Sequence, residues 1–93
     1  MHEHVLNQLR EKVRNRQYIM TLHAEEEMND DGFSIFDVES GILTGKIIER
    51  QKDQVTFEWK YLVKGDSLAG ETILVVTKIS PTVKLVIITV WRE

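Results

Sequence analysis

The sequence predicts an α+β fold: N-terminal helices packed on one face of a mostly antiparallel four-stranded sheet. Three observations lead there. Apolar residues recur at helical spacing as far as Gly45 and alternate beyond it. Ser34-Ile-Phe-Asp37 has the spacing of a capping box ahead of the last helical stretch. Two β-branched runs near the C-terminus, Ile73-Leu-Val-Val76 and Leu85-Val-Ile-Ile-Thr-Val90, flank a proline turn. With 93 residues, the chain has room for one hydrophobic core and not for two.

In chain order, the first helix runs from His4 to Arg16, because Val5, Leu9 and Val13 recur every fourth residue and Leu6 widens the stripe. Gln17-Tyr-Ile-Met20 is a short apolar bridge, a stub of edge strand. Thr21 is placed as the N-cap of a second helix from Leu22 to about Asn29, with Ala24 and Met28 facing inward and Gly32 as its stop. Glu25, Glu26 and Glu27 fall near the positive end of that helix, where carboxylates are stabilised. The capping box then opens a third helix, with Phe33 and Val38 spaced as a hydrophobic staple. Ile35, Val38, Ile42 and Leu43 form its core-facing stripe, and Gly45 ends it.

Four strands follow. Lys46 to Gln51 is the first. Val55 to Val63 alternates as the second, with Phe57, Trp59 and Tyr61 on one aromatic face. Lys64 to Gly70 is a loop; Thr72 to Ile79 and Val83 to Trp91 are joined by Ser80-Pro-Thr82. The last two strands are apolar on both faces, so the side away from the helices needs a cover. A second copy of the chain is the simplest one, and the sequence therefore points to a homodimer.

Composition narrows the function. With no cysteine, disulfides and thiolate metal sites are excluded. The N-terminus is polar and no apolar run spans a bilayer, so the expectation is a cytoplasmic protein without membrane contact. The net charge is −3, unevenly spread: residues 1–45 carry four basic and nine acidic side chains, and residues 46–93 carry eight basic and six acidic. That balance disfavours nonspecific nucleic-acid binding overall and leaves the second half able to present a basic face. No phosphate-cradling loop, nucleotide fingerprint or Ser-His-Asp order occurs, and no cofactor is expected.

The segment His23-Ala-Glu-Glu-Glu-Met-Asn-Asp-Asp-Gly32 concentrates the chemistry. His23 has Glu26 and Glu27 at helical spacings of three and four. It fits either a general acid or base in RNA cleavage or a histidine that ties the helix start to the sheet. A metal site on His23 with Glu26 or Glu27 needs a third ligand that the sequence does not supply. His2 and His4 fit either copper or nickel at the chain end or a plain terminus. Glu25, Glu26, Glu27, Asp30 and Asp31 read as a solvated helix face or as a docking surface for a basic protein. The basic set Arg50, Lys60, Lys64, Lys78 and Lys84 has Trp59 and Tyr61 interleaved, which would suit RNA on the sheet. Alternation points the two aromatics away from Lys60 and into the core.

From Thr21 to Glu49 the chain resembles domain-of-unknown-function family 4258. The resemblance rests on His23-Ala24, Met28, Gly32, Ser34-Ile-Phe-Asp37-Val38, Gly45-Lys-Ile-Ile-Glu49 and a closing Ile88-Thr-Val-Trp91, and covers about residues 17–91. That family looks similar in topology to RNase toxins of the barnase, colicin and RelE type, a likeness of fold. Its members usually carry arginine just before the Met and often just before the Gly, where this chain has Glu27 and Asp31. The resemblance implies a toxin-like domain that binds another protein and lacks the arginine chemistry. The alternatives are a metal-independent ribonuclease, with His23 as acid or base assisted by Arg50, Lys60 or Tyr61, and a structural dimerisation module.

Overall fold

Residues 2–93, which the computed structural model describes, form three helices and five strands. In chain order these are α1 (Glu3–Arg14), β1 (Tyr18–Met20), α2 (Leu22–Asp30), α3 (Ile35–Thr44), β2 (Lys46–Lys52), β3 (Trp59–Asp66), β4 (Thr72–Ile79) and β5 (Leu85–Arg92). One sheet contains all the strands in the order β1-β5-β4-β3-β2, with β1 parallel to β5 and every other pair antiparallel. The α+β class is as predicted. The sheet is five-stranded, because the Tyr18–Met20 stub pairs with Leu85–Ile87 as a full neighbour.

The helices share one face of the sheet: α3 crosses β3 and β4, α2 runs along β5, and α1 packs on α3 and β5. Leu6 and Leu9 of α1, Ile42 of α3, and Val63, Val75 and Ile87 of the sheet are fully buried between them. Burying each side chain of this size stabilises the fold by roughly 1.5–3 kcal/mol. The capping box is present: Ser34 Oγ accepts from Asp37 N at 3.3 Å, and Asp37 Oδ2 accepts from Ser34 N at 2.8 Å. Phe33 and Val38 are both buried, as a staple requires.

Several strand boundaries differ from the predicted ones. Residues 53–58 form a turn, not the start of a strand, because Asp53 Oδ1 accepts from Val55 N at 2.8 Å and Thr56 N at 3.0 Å. This side-chain bonding competes with ladder pairing. Val55 and Phe57 are consequently exposed, and β3 instead runs through Lys64-Gly-Asp66. In the last connection Val83 N donates to Ser80 O, and Val83 lies at φ +64°, so β5 begins at Leu85.

The outer face of the sheet is partly covered by its own cross-strand neighbours. Leu74 and Val86 point away from the helices, yet are only 5% and 8% exposed. Leu74 sits between Lys64 and Trp91 in the ladder, and Val86 between Lys78 and Ile19. Long side chains lay their apolar parts over such neighbours and keep their polar ends in water.

Helix α3 rests on β3 through glycines. A Cβ on Gly65 would fall less than 3.0 Å from the Gly41 backbone and from Gly45 Cα, and one on Gly41 would meet Ile73 Cγ2 at 2.5 Å. Arg10 donates to Gly45 O at 2.9 Å, placing a cation at the negative end of α3. Tyr18 OH reaches from β1 to Glu39 Oε2 of α3 at 2.5 Å. Burial, followed by this hydrogen bond and the Glu39 charge, pushes the Tyr18 phenol up to about 12.

Two expectations follow from this packing. Gly65→Ala, which forces α3 off the sheet, should lower stability in urea by about 1–3 kcal/mol or more, and an unchanged midpoint would refute the close approach. An unfolded tyrosine titrates near 10. The folded state holds the Tyr18 proton more tightly, so its stabilising contribution is full below about pH 10 and is lost as pH rises from about 10 to about 12. Urea midpoints should fall across that window, and Tyr18→Phe should flatten the fall.

Candidate functional site

Beyond Met20, β1 ends and the edge of β5 is left without a strand neighbour. Helix α2 takes over. Thr21 accepts from Ala24 N at 3.1 Å as N-cap, and its hydroxyl donates to Ile88 O at 3.1 Å. Glu27 Oε1 accepts from Val90 N at 3.2 Å, and Asp31 Oδ2 accepts from Arg92 N at 2.9 Å. The spacing is matched: four residues of helix rise about 6 Å, and two residues of strand about 6.6 Å. Glu27 and Asp31 therefore act as a ladder of side chains along a strand edge. Arginine offers no acceptor to such amides.

The acidic run thus divides by direction. Glu27 and Asp31 turn to β5, whereas Glu25, Glu26 and Asp30 are exposed to solvent. His23 is 67% exposed, and its Nε2 lies 3.2 Å from Glu27 Oε1. Arg92 completes the cluster: its guanidinium donates to Asp31 O, pairs with Glu71, and lies 4.5 Å over the Phe33 ring.

The structure does not bring His23 together with Arg50, Lys60 and Tyr61. His23 lies beside β5, whereas the other three stand on β2 and β3, beyond β4. Strands are about 4.8 Å apart, so β5 and β3 are separated by roughly 10 Å and β5 and β2 by more. Tyr61 is in the core, with its ring edge-on to His2 at 6.1 Å. Arg50 lies 4.0 Å over the Trp59 ring. Lys60 is on the outer face, where it pairs with Asp53 at 3.1 Å. Lys64 and Lys78 are likewise held, by Glu93 at 3.0 Å and Glu58 at 3.1 Å. The sheet consequently carries no continuous basic face. No group of three or more metal-ligating side chains occurs among the described residues, and no described helix is long and apolar enough to cross a membrane.

A mainly apolar concavity lies elsewhere. Phe36, Glu39, Ser40, Leu43 and Thr44 of α3, with Leu68, line a groove of about 370 Å³. Leu43, which spacing assigns to the core stripe, is exposed, and the buried stripe is Val38 and Ile42. Phe36 and Leu43, seven residues apart, form a second stripe on the outer side of α3, a signal that was available in the sequence. Phe36 is 54% and Leu68 70% exposed. The capping box holds the far wall, because Asp37 Oδ1 accepts from Leu68 N at 3.0 Å. Its hydrogen bonds from Ser34 and Leu68 hold the Asp37 carboxyl below the usual carboxylate range. Ser40 and Thr44 hydroxyls bond Asp66 O and fix the end of β3 against the groove.

Three helices on one face of a mixed sheet, with the edge of β5 beyond β1 sealed by α2, define a small α+β domain. Residues 20–92 match the family model described as domain of unknown function DUF4258, and the chain belongs to that family. Searches of curated proteins and of solved structures returned no match. The matched span contains α2, α3 and the long strands, so the edge-sealing acids and the groove both lie within it.

The same acidic run should therefore respond in two ways to mutation. Glu27→Ala or Asp31→Ala strands a strand-edge amide and should cost about 1–3 kcal/mol, with faster hydrogen exchange at Val90 or Arg92 respectively. Glu25→Ala and Glu26→Ala should stay within about 0.5 kcal/mol. Equal effects at all four positions would sink the distinction.

Proposed function

We propose that this domain is a non-catalytic protein-binding module, and that the groove beside α3 receives a basic amphipathic helix of another protein. The observation that carries the proposal is the groove itself: Phe36, Leu43 and Leu68 are exposed around one concavity whose lining contains no lysine or arginine. Such a patch, rimmed by polar groups, is the usual mark of a protein contact. A helix with apolar anchors at every third and fourth position is the partner that a groove of this kind accepts.

Charge selects the sign of that partner. Glu39 lines the groove, Asp37 holds its Leu68 wall, and Asp66 is bonded through its backbone to Ser40 and Thr44. Glu25, Glu26 and Asp30 add exposed negative charge in the same helical layer. No basic residue occurs from 17 to 45. Lysine and arginine flanking the partner's apolar stripe would be drawn to this surface and would raise the association rate.

The test is a titration of the isotope-labelled protein with a leucine–lysine amphipathic peptide and, separately, its leucine–glutamate counterpart. The cationic peptide should shift amide signals of residues 36–44 and 68. Phe36→Asp and Leu68→Asp should each weaken it about tenfold or more. Equal binding of the acidic peptide, or shifts confined to other surfaces, would overturn the proposal.

A further inference from the structure

The tip of the β2–β3 hairpin carries a second cluster, on the helix side of the sheet and at the opposite end of β3 from the groove. Its backbone is fixed before any ligand arrives. Asp53 accepts from Val55 N and Thr56 N, its own N–H donates to Glu58 O at 2.8 Å, and Phe57 N donates to Asp53 O at 2.9 Å. Phe57 lies at φ +61°, a conformation that a bulky side chain adopts only under constraint. Yet this ring is exposed to solvent, where packing offers no return for the strain. Backbone strain on an exposed aromatic is a reason to look for function.

The charges around it are arranged unequally. Both acids of the turn are already neutralised, Asp53 by Lys60 and Glu58 by Lys78. Arg50 and Lys52 have no ion-pair partner among the described residues. Instead they lie against aromatic rings: Arg50 is 4.0 Å from the Trp59 centroid, and Lys52 is 5.6 Å from Trp59 and 5.7 Å from Phe57. A concavity of about 230 Å³ opens beside these rings, with Phe57, Trp59, Val5 and Gln8 in its lining together with Glu58, whose charge Lys78 already pairs. That is below the roughly 300–1,000 Å³ of a pocket that swallows a drug-sized ligand. It suits one flat ring of a longer molecule whose remainder stays outside.

We propose that this hairpin tip binds single-stranded nucleic acid, one base stacking on Trp59 and Phe57 within the concavity while Arg50 and Lys52 hold the adjoining phosphates. Every base has a flat face, so stacking on exposed aromatics recognises single strands with little regard to sequence. The two unpaired cations supply the phosphate term. The Gln8 amide, which can both donate and accept, stands in the same concavity to meet a base edge. A duplex, whose bases are stacked on each other, cannot present a base in this way. The site is separate from the α3 groove, and its success or failure does not bear on the protein-binding proposal.

The experiment is fluorescence anisotropy of a short labelled oligouridylate titrated with the full chain at low and moderate salt. Binding should saturate, and log K should fall with log salt at a slope near −1.4, from about −0.7 for each of two phosphates. Lys52→Ala and Arg50→Ala should each reduce that slope by about 0.7. Trp59→Leu should weaken binding at least about fivefold and leave the slope alone. Urea midpoints of the three variants should confirm that each folds. Phe57→Gly relieves the positive φ while removing the ring; it should weaken binding without destabilising the fold. Absence of saturation at low salt would overturn the proposal. So would equal binding of a duplex of the same length, or preferential binding of phosphatidylglycerol vesicles that is abolished by Trp59→Leu, which would mark a lipid surface.

Discussion

The edge of β5 is the constraint on which the rest of the molecule is arranged. A strand flanked by neighbours on both sides has its amides satisfied by the ladder, but β1 is three residues long and leaves β5 bare beyond Ile87. Buried or half-buried amides without partners cost more than most single contacts gain. Thr21, Glu27 and Asp31 meet that need from a helix, and in doing so set the position and direction of α2. Gly32, at φ +73°, then turns the chain back, Phe33 enters the core beneath Arg92, and the capping box launches α3 across the sheet. The groove beside α3 thus inherits its placement from bonds made at the far edge of the sheet.

Much of this was legible in the residues themselves. The capping box and staple are short-range chemistry, in which every partner lies within a few residues, and they appear where the spacing put them. The same holds for Thr21 as a cap and Gly32 as a stop. Alternation identified the core side of β3 at Tyr61 and Val63 but was extended too far back, because Val55-Thr-Phe-Glu-Trp59 alternates as well as any strand does. The competing term is one aspartate ahead of it, whose side chain captures the backbone. The acidic run was harder. Spacing could place Glu27 beside His23, but that Glu27 and Asp31 reach a strand some 60 residues later is a tertiary fact. Likewise, burial of Leu74 and Val86 on the open face depends on cross-strand neighbours, which only the register reveals.

The two candidate surfaces divide along the same axis as charge. The helical half is acidic and presents its apolar groove where α3 meets the β3–β4 loop; the hairpin end presents aromatic rings beside uncompensated cations. β3 connects them as a rigid strut, pinned to α3 by the Gly41, Gly45 and Gly65 approach at one end and held by the Asp53 turn at the other. Two surfaces of opposite chemical character on one small rigid body can be occupied together without competing.

The sealed edge also limits how copies of this chain can join. Strand-to-strand growth needs two open edges on each molecule, one to give and one to receive. Here α2 occupies one side over residues 88–92, and β1 offers only three residues outside it. That leaves β2, whose ladder is already broken by a bulge at Ile48 and whose side chains include Lys46, Glu49, Arg50 and Lys52. Pairing through β2 consumes the one long free edge of both copies and then stops. Glu27 and Asp31, which look like part of an active site in the sequence, thus occupy amides of β5 that an incoming strand would otherwise use.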